Sequence, residues 1–352
     1  MIYFITYLLS FWLVLNIVYM YRRDWFERHG FKLYYGFVLV WKRLSSVRSS
    51  SIVYKIAYAS IPLSIYGLYV FYTTMIMSIL ARFYIVHVPG RPQLLVPGVN
   101  ITGINLLYFV IAIVIAAAIH EFSHALVAKS HGIEVKGFGF ALLLFLPIAF
   151  TEIDDEYYSK ASLRSKAVTL MAGPASNILL ALLVFGVILY TVNPYGLTIV
   201  GVIKGGLAEE YGLRENMVIL EINNQTASLD LLRSVLEANE TTTICFKVVD
   251  ENGVVREVYV VKPGNVTKLG VYLTSFSPSN TLISLFGVNG ALALIYQLYW
   301  IYIVNASLGM INIAPLFITD GGKLVYEITK TKNIGHIINT TTLAILVLAL
   351  IP

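Results

Sequence analysis

Long apolar stretches recur along this chain, and they constrain its fold more than any other feature of the sequence. A helix needs about 20 apolar residues to cross the hydrocarbon core of a bilayer. The 352 residues are 57% hydrophobic and 13% charged, whereas a soluble domain carries roughly 25% charged residues. Six stretches are long enough to span: 2–20, 56–81, 103–128, 167–191, 284–311 and one from about 337 onwards. The sequence therefore predicts a polytopic α-helical membrane protein with about six transmembrane helices.

Three of the apolar stretches need a separate interpretation. Residues 2–20 lack the basic start and the small-residue cleavage site of a signal peptide, so we expect a retained helix. The stretches 33–41 and 138–150 are too short to span comfortably. They suit re-entrant or interfacial segments, which are tolerated at membrane depth where protein or water surrounds the backbone.

Basic residues in the short loops predict the orientation, because cytoplasmic loops of membrane proteins carry an excess of Lys and Arg. Eight of them crowd the first connection, which we place in the cytoplasm: Arg22, Arg23, Arg28, Lys32, Lys42, Arg43, Arg48 and Lys55. Alternation then gives two outer segments, 82–102 and about 192–280, and two inner ones, 129–166 and the segment with Lys323, Lys330 and Lys332. We expect a multi-pass protein of the cell membrane, in contact with the lipid bilayer. The net charge of +5 fits this topology, and we expect no nucleic-acid partner.

Residues 193–275 interrupt the apolar pattern and predict one small soluble insert on the outer side. Strands are expected at "LTIVGVI" (197–203) and "MVILEINN" (217–224). "SLDLLRSVLEA" (228–238) predicts a helix with four apolar side chains on one face: Leu231, Leu232, Val235 and Leu236. "TICFKVVDENGVVREVYVV" (243–261) predicts two strands around an Asn-Gly turn.

A cluster of ionisable residues stands at the end of the third apolar stretch, in "HEFSH" (120–124). Residues four apart share a helix face, so His120 and His124 can direct ring nitrogens at one point, with Glu121 within reach of it. This HExxH pattern is typical of two zinc ligands and a general base. An accidental pattern is the alternative, but an ionisable residue near mid-membrane costs at least about 2.5–3.5 kcal/mol and is expected to be functional.

A catalytic zinc site needs a third protein ligand, and two residues compete for that place. His131 lies seven residues beyond His124, and a straight helix would carry it away from the site, so we interpret it as an interfacial loop histidine. Asp320, in "NIAPLFITDGGKL" (312–324), follows a span that runs inwards and so lies on the same side as His124. Pro315 would interrupt the helix before it, which favours irregular backbone lining a cavity. On this segment alone, a turn or capping aspartate is the alternative.

Taken together, these motifs resemble the site-2 protease family of intramembrane zinc metalloproteases (peptidase M50-like). The resemblance covers residues 103–330 and rests on HEFSH, "AGPASN" (172–177), the insert and "NIAPLFITDGG" (312–322). It implies His120, His124 and Asp320 as zinc ligands and Glu121 as the catalytic glutamate. Thr319 replaces the leucine of the family's motif, although this position is not itself a ligand.

Two asparagines are further candidates, because a buried carboxamide can bind substrate backbone or a developing oxyanion. Asn177 lies one helical turn after Gly173, and Asn312 precedes Pro315. The alternative is that both satisfy backbone groups freed by Pro174 and Pro315.

The insert resembles a PDZ domain through "GGLAEEYGLRENMVILEINNQ" (205–225), although Glu215-Asn216 replaces the usual Gly-Asp. A peptide or substrate tail is therefore a possible partner, and a steric filter without a peptide ligand is the alternative.

We interpret the chain as a zinc endopeptidase that cuts transmembrane or membrane-proximal segments of protein substrates. A metal-ion transporter and a catalytically inactive PDZ scaffold are the alternatives. The expected organisation has four parts: N-terminal transmembrane helices with a re-entrant segment (1–102), a catalytic core with the HExxH helix (103–191), the extracytoplasmic PDZ-like domain (192–278) and C-terminal helices with the Asp-Gly motif (279–352). The active site is expected near the cytoplasmic side.

Overall fold

The computed structural model describes residues 2–44, 48–87, 92–144 and 146–351, with backbone alone at 2–5, 44 and 146. Phe145, in the short apolar stretch 138–150, and residues 88–91, in the expected outer loop 82–102, lie outside the described residues. The chain divides into two compact units, Met1–Leu183 with Trp300–Pro352, and Val184–Tyr299. The second unit contains the predicted insert and the ends of the two helices that flank it.

The described residues form long helices, short helices and short strands. Their bounds are α1 (Ile2–Arg28), β1 (Phe31–Tyr34), β2 (Val38–Leu44), α2 (Ser51–Ile56), α3 (Ser60–Arg82), α4 (Ile104–Ser130), β3 (Val135–Leu143), β4 (Leu146–Ile153), α5 (Asp155–Lys160), α6 (Leu163–Thr191), β5 (Val192–Asn193), β6 (Leu197–Val202), α7 (Leu207–Glu210), β7 (Val218–Ile222), β8 (Gln225–Thr226), α8 (Leu229–Glu237), β9 (Thr242–Val249), β10 (Val255–Lys262), β11 (Val271–Thr274), β12 (Ser277–Pro278), α9 (Asn280–Ile313), α10 (Asp320–Thr329) and α11 (Lys332–Leu350).

Among the described residues, five helical segments are long and apolar enough to cross a membrane. They are Ser51–Arg82, Ile104–Ser130, Leu163–Thr191, Asn280–Ile313 and Lys332–Leu350. These segments contain five of the six predicted spans, as a polytopic membrane protein requires. The remaining stretch, 2–20, lies in α1, so the count of six stays a prediction.

Small residues let the helices of the first unit approach closely. Ala112 and Ala116 of α4 are fully buried in a cluster with Val304 of α9. Gly67 of α3 lies directly against the side chain of Ile178 on α6. Such contacts are typical of membrane helices, where close packing replaces the hydrophobic effect as the source of association. They bring α3, α4, α6 and the end of α9 into one bundle.

The two short apolar stretches, 33–41 and 138–150, form strands of one antiparallel sheet with the order β1-β2-β3-β4. The central β2–β3 pairing joins segments about a hundred residues apart, with Trp41 opposite Phe140. β4 pairs with β3 alone within the described sheet and therefore forms one of its edges. A re-entrant or interfacial location for this sheet stays a prediction.

The second unit contains the predicted insert, and its elements match those expected from the sequence. β6, β7, β9 and β10 occupy the four predicted strand segments in a sheet with the order β10-β9-β7-β6-β11. Helix α8 begins after its Ser228 cap, and Leu232 and Leu236 are buried in the core of this unit. The second unit is compatible with the predicted small domain of strands and helices, whereas the bounds of that domain, its PDZ-like identity and its peptide partner stay predictions.

Candidate metal centre

Helix α4 carries the HExxH residues, and its bundle neighbours bury the two histidines. His120 and His124 are 6% exposed, and their rings lie edge to face with centroids 4.7 Å apart. The i, i+4 spacing places both rings on the same side of the helix. The two Nε2 atoms are consequently 3.1 Å apart.

Asp320 reaches the same point from a tightly fixed turn between α9 and α10. Thr319 caps α10: its Oγ1 accepts hydrogen bonds from the backbone N–H groups of Leu316 and Gly322 and donates to the Ala314 carbonyl at 2.7 Å. A Cβ atom on Gly322 would overlap the Leu316 carbonyl oxygen, and one on Gly321 would overlap that of Ile313. These glycines are therefore required for close backbone approach and not for a positive φ angle.

Three ligand atoms converge on one point: the Nε2 atoms of His120 and His124 and the Oδ2 atom of Asp320. Oδ2 lies 3.1 Å from each Nε2, so the three atoms form a nearly equilateral triangle. Around a tetrahedral zinc ion with bonds of about 2.0–2.1 Å, neighbouring ligand atoms are separated by roughly 3.3 Å. The spacing of the three atoms fits such an ion.

Hydrogen bonds to the other ring nitrogens determine where the imidazole protons lie. His124 Nδ1 faces the backbone carbonyl of Thr169 at 2.7 Å, and a carbonyl can only accept, so Nδ1 carries the proton. Asn177 Nδ2 donates to the Ala116 carbonyl, which turns its Oδ1 towards His120 Nδ1 at 2.6 Å. His120 therefore also carries its proton on Nδ1. In the neutral imidazoles, both Nε2 lone pairs point at Asp320 Oδ2.

With the proton of each neutral ring on Nδ1, two lone pairs and a carboxylate oxygen lie 3.1 Å apart and repel one another, and a cation between them relieves that repulsion. Outer hydrogen bonds to imidazole Nδ1 groups are also how proteins orient histidine ligands of metals. Helix α6 leaves room for the cation: a Cβ atom on Gly173 would come within 2.6 Å of His120 Nε2 and would also collide with His124 Nε2. The residues present therefore fit a zinc ion.

Glu121 lines a cavity of about 270 Å³ beside the triangle of candidate ligand atoms. Its lining combines the site residues with β4: Glu121, His124, Phe150, Thr151, Ile153, Thr169, Leu170, Asp320 and Lys323. Thr151 Oγ1 donates to the Glu121 carbonyl at 2.7 Å, which ties β4 to α4 at this residue. Water and a substrate carbonyl can meet the carboxylate and the metal ligands in this one space.

An ion pair holds α10, and with it Asp320, against α6. Lys166 Nζ lies 2.9 Å from Glu327 Oε2, and the two side chains are 14% and 27% exposed. Lys166 also lies over the ring of Tyr158. Burial raises the pKa of the Tyr158 hydroxyl, and the negative charges of Glu327 and Asp320 raise it further, so this group stays protonated at neutral pH.

The other predicted site residues lie elsewhere. His131 caps the end of α4, contacts the Val127 carbonyl through Nδ1 and stacks on Tyr54, outside the group formed by the three ligand candidates. Asn312 donates to the Leu308 carbonyl of its own helix. Asn177 is fully buried, and its oxygen and nitrogen are both bonded to protein groups, so the structure gives no support to its predicted contact with substrate. The substrate role of Asn312 stays a prediction.

Three contributors escaped the sequence analysis. Asn305 is fully buried, accepts from Asn177 at 2.8 Å and donates to the Ile301 carbonyl, so it fixes the carboxamide that orients His120. A polar residue in the middle of the apolar stretch 284–311 is the signal that could have revealed it. Thr319 carried the signal of a helix cap before Asp320. The Thr169 carbonyl left no signal, because any residue supplies one.

The comparison with known families decides the relationship of this chain. The model of peptidase family M50 matches residues 108–350, which is well over half of the sequence and includes both the HExxH and the Asp-Gly motif. The chain belongs to peptidase family M50. This membership confirms the resemblance to the site-2 protease family.

Relatives of this M50 chain occur in archaea and bacteria. An uncharacterised protein of Methanocaldococcus jannaschii is 31% identical over 60% of this chain and 54% of its own length. A protein of Enterococcus faecalis named as the protease eep is 26% identical over 50% and 53%. A protein of Campylobacter jejuni named as a zinc metalloprotease is 29% identical over 37% and 44%. The chain thus spans about half the length of the curated relatives it matches.

The choice of third ligand can be tested with Asp320→Asn. This substitution removes the charge of the only carboxylate in the triangle formed by the described residues, so zinc affinity should fall by more than the roughly 10–100-fold that loss of an outer partner costs. His131→Ala is the matched control and should keep the wild-type zinc content, since His131 stacks on Tyr54 instead. Metal analysis of purified protein after dialysis measures both, and equal loss of zinc in the two variants would contradict the assignment.

The outer hydrogen bond to His120 predicts a second effect. Asn177→Ala removes the acceptor of the Nδ1 proton, so the ring loses its fixed orientation and zinc affinity should fall about 10–100-fold. Asn312→Ala makes the same change outside this network and should leave the affinity unchanged. Competition with a fluorescent chelator measures both affinities, and unaltered binding by Asn177→Ala would show that packing alone orients the ring.

Proposed function

We propose that this M50 chain is a zinc endopeptidase that cuts transmembrane or membrane-proximal segments of protein substrates. The observation that carries the proposal is the convergence of two imidazole lone pairs and one carboxylate oxygen beside a cavity that also holds Glu121. His120, His124 and Asp320 would hold the metal. The family membership and the names of two relatives support proteolysis as the activity.

A zinc ion bound by these residues supplies a Lewis acid for the scissile carbonyl and for water. Glu121 takes a proton from the attacking water and later gives it to the leaving amine nitrogen. Asn177 and the Thr169 carbonyl keep the imidazoles in the protonation state that this chemistry needs, through their bonds to Nδ1. Thr151 holds the backbone at Glu121 and so keeps the base in the cavity.

Strand β4 is the proposed support for the substrate. An intact helix hides its carbonyls in its own hydrogen bonds, so a transmembrane segment must unwind before it can be cut. Phe150 and Thr151 are neighbours on β4 and point to opposite faces, yet both line the cavity, as expected if the cavity runs along the free edge of the strand. An extended substrate segment would pair with that edge, which supplies free N–H and C=O groups.

The cavity beside Glu121 is proposed to open towards the cytoplasm. His124 lies near the end of α4 and Asp320 lies just beyond the end of α9, so both fall where the basic loops predict the inner side. The cavity lining includes polar groups from Thr151, Thr169 and Lys323, which can retain water at that depth. The topology that the basic loops predict puts the insert on the outer side. There it would select or exclude substrates without containing the scissile bond.

The role of Glu121 gives the test of this function. Glu121→Gln preserves the shape of the side chain and removes its basicity, so zinc should stay near one per chain while proteolysis falls by orders of magnitude. Glu156→Gln, at an exposed position on α5, is the control and should keep both. Mass spectrometry of products from a transmembrane reporter in liposomes measures cleavage, and cleavage by Glu121→Gln at the wild-type rate would refute the mechanism.

A further inference from the structure

Lys323 is a cation beside the candidate metal site, and the proposed mechanism gives it no role. It follows Asp320 by three residues on α10, so both side chains project from one face of the first turn. Its side chain lines the same cavity as Glu121, His124 and Asp320, and it is the one Lys or Arg among the described residues of that lining. Its ammonium therefore carries the positive charge that the protein itself contributes to the cavity.

The two oxygens of Asp320 have different neighbours. Oδ2 faces the imidazoles, whereas Oδ1 faces Lys323 Nζ at 3.6 Å. That separation is too long for a hydrogen bond, and the Lys323 side chain is 60% exposed. The pair is consequently a loose attraction, and the ammonium keeps its hydrogen-bond donors available for another partner.

Lys166, in the same region, forms a buried ion pair that joins two helices and provides a comparison for Lys323. Lys166 lies 2.9 Å from Glu327, and both side chains are largely buried. Lys323 has neither the short distance nor the burial, and it lines the cavity instead of joining two helices. A structural bridge is therefore a poor account of Lys323.

We propose that Lys323 is a further catalytic residue, whose ammonium donates to the scissile carbonyl oxygen as negative charge develops on it. This inference rests on the proposed function. A donor aimed at developing negative charge in a partly enclosed site lowers the barrier, because that charge is absent in the ground state. The same ammonium then holds the carboxylate of the product.

The step balances on groups already described. The water oxygen bonds to the carbonyl carbon, its proton goes to Glu121, and the carbonyl electron pair moves onto the oxygen that Lys323 contacts. When that pair re-forms the C=O bond, the C–N bond breaks and the amine nitrogen takes the proton from Glu121. The carboxylic acid formed then gives its proton to the free amine, which leaves a carboxylate beside Lys323.

The experiment compares Lys323→Met and Lys323→Arg in the full-length protein, with Lys332→Met as a control that removes the same charge at an exposed position on α11. We expect Lys323→Met to keep zinc near one per chain and KM within about twofold. Its kcat should fall about 10–100-fold, since loss of one such donor costs up to roughly 100–1,000-fold and an exposed donor contributes less. Lys323→Arg should recover most of the rate, and Lys332→Met should match the wild type.

Binding of a peptide phosphinate, which mimics the tetrahedral state, separates catalysis from positioning. Lys323→Met should weaken phosphinate binding by about the same factor by which it lowers kcat. The uncleaved substrate should bind with equal affinity to the Glu121→Gln and the Glu121→Gln/Lys323→Met proteins. An unchanged kcat in Lys323→Met, or loss of zinc from it, overturns the inference. Absence of cleavage by the zinc-loaded wild-type protein would instead overturn the proposed function.

Discussion

Three hydrogen-bond acceptors meet inside an apolar helical bundle, and the rest of the site is arranged around that constraint. The lone pairs of His120 and His124 and a carboxylate oxygen of Asp320 lie 3.1 Å from one another. In water such groups would be solvated separately, but here their burial leaves a cation as the partner that can satisfy all three.

Several of the surrounding polar groups have a defined partner. Asn305 fixes Asn177, and Asn177 fixes the Nδ1 proton of His120. Thr319 fixes the turn that delivers Asp320, while Lys166 and Glu327 fix the helix that follows it. Partly satisfied polar networks in a low-dielectric interior are costly, whereas fully satisfied ones select a single geometry. The three candidate metal ligands thus approach one point from helices separated by about two hundred residues of sequence.

Much of the site could be predicted from the sequence, because its signals are local and chemically unusual. Two histidines and a glutamate at HExxH spacing in an apolar stretch are costly unless they are used, and the basic loops predict Asp320 on the same side of the membrane as His124. The strands and helix of the insert followed from alternation and an Asn-Gly turn. Asn177 could be singled out as a polar residue, but the sequence did not reveal whether its amide faces substrate or a ligand ring. That choice depends on the Ala116 carbonyl and Asn305, which only tertiary packing brings to it.

The short apolar stretches show a second limit of sequence analysis. Both 33–41 and 138–150 could be recognised as too short to span, yet their pairing as β2 and β3 is a long-range event without a local signal. The consequence for function is large, because this sheet places β4 along the cavity and ties it to the backbone of Glu121. The helix with the HExxH motif thereby gains a strand edge beside it, which is the feature that the proposed pairing with substrate uses.

We expect two imidazoles and one carboxylate of this chain to bind zinc, and X-ray absorption at the zinc edge of the purified protein identifies such ligands. Scattering from nitrogen and oxygen should appear at about 2.0–2.1 Å, together with the longer-distance signature of two imidazoles and without sulfur. Sulfur at about 2.3 Å, or the signature of fewer than two imidazoles, would contradict this expectation.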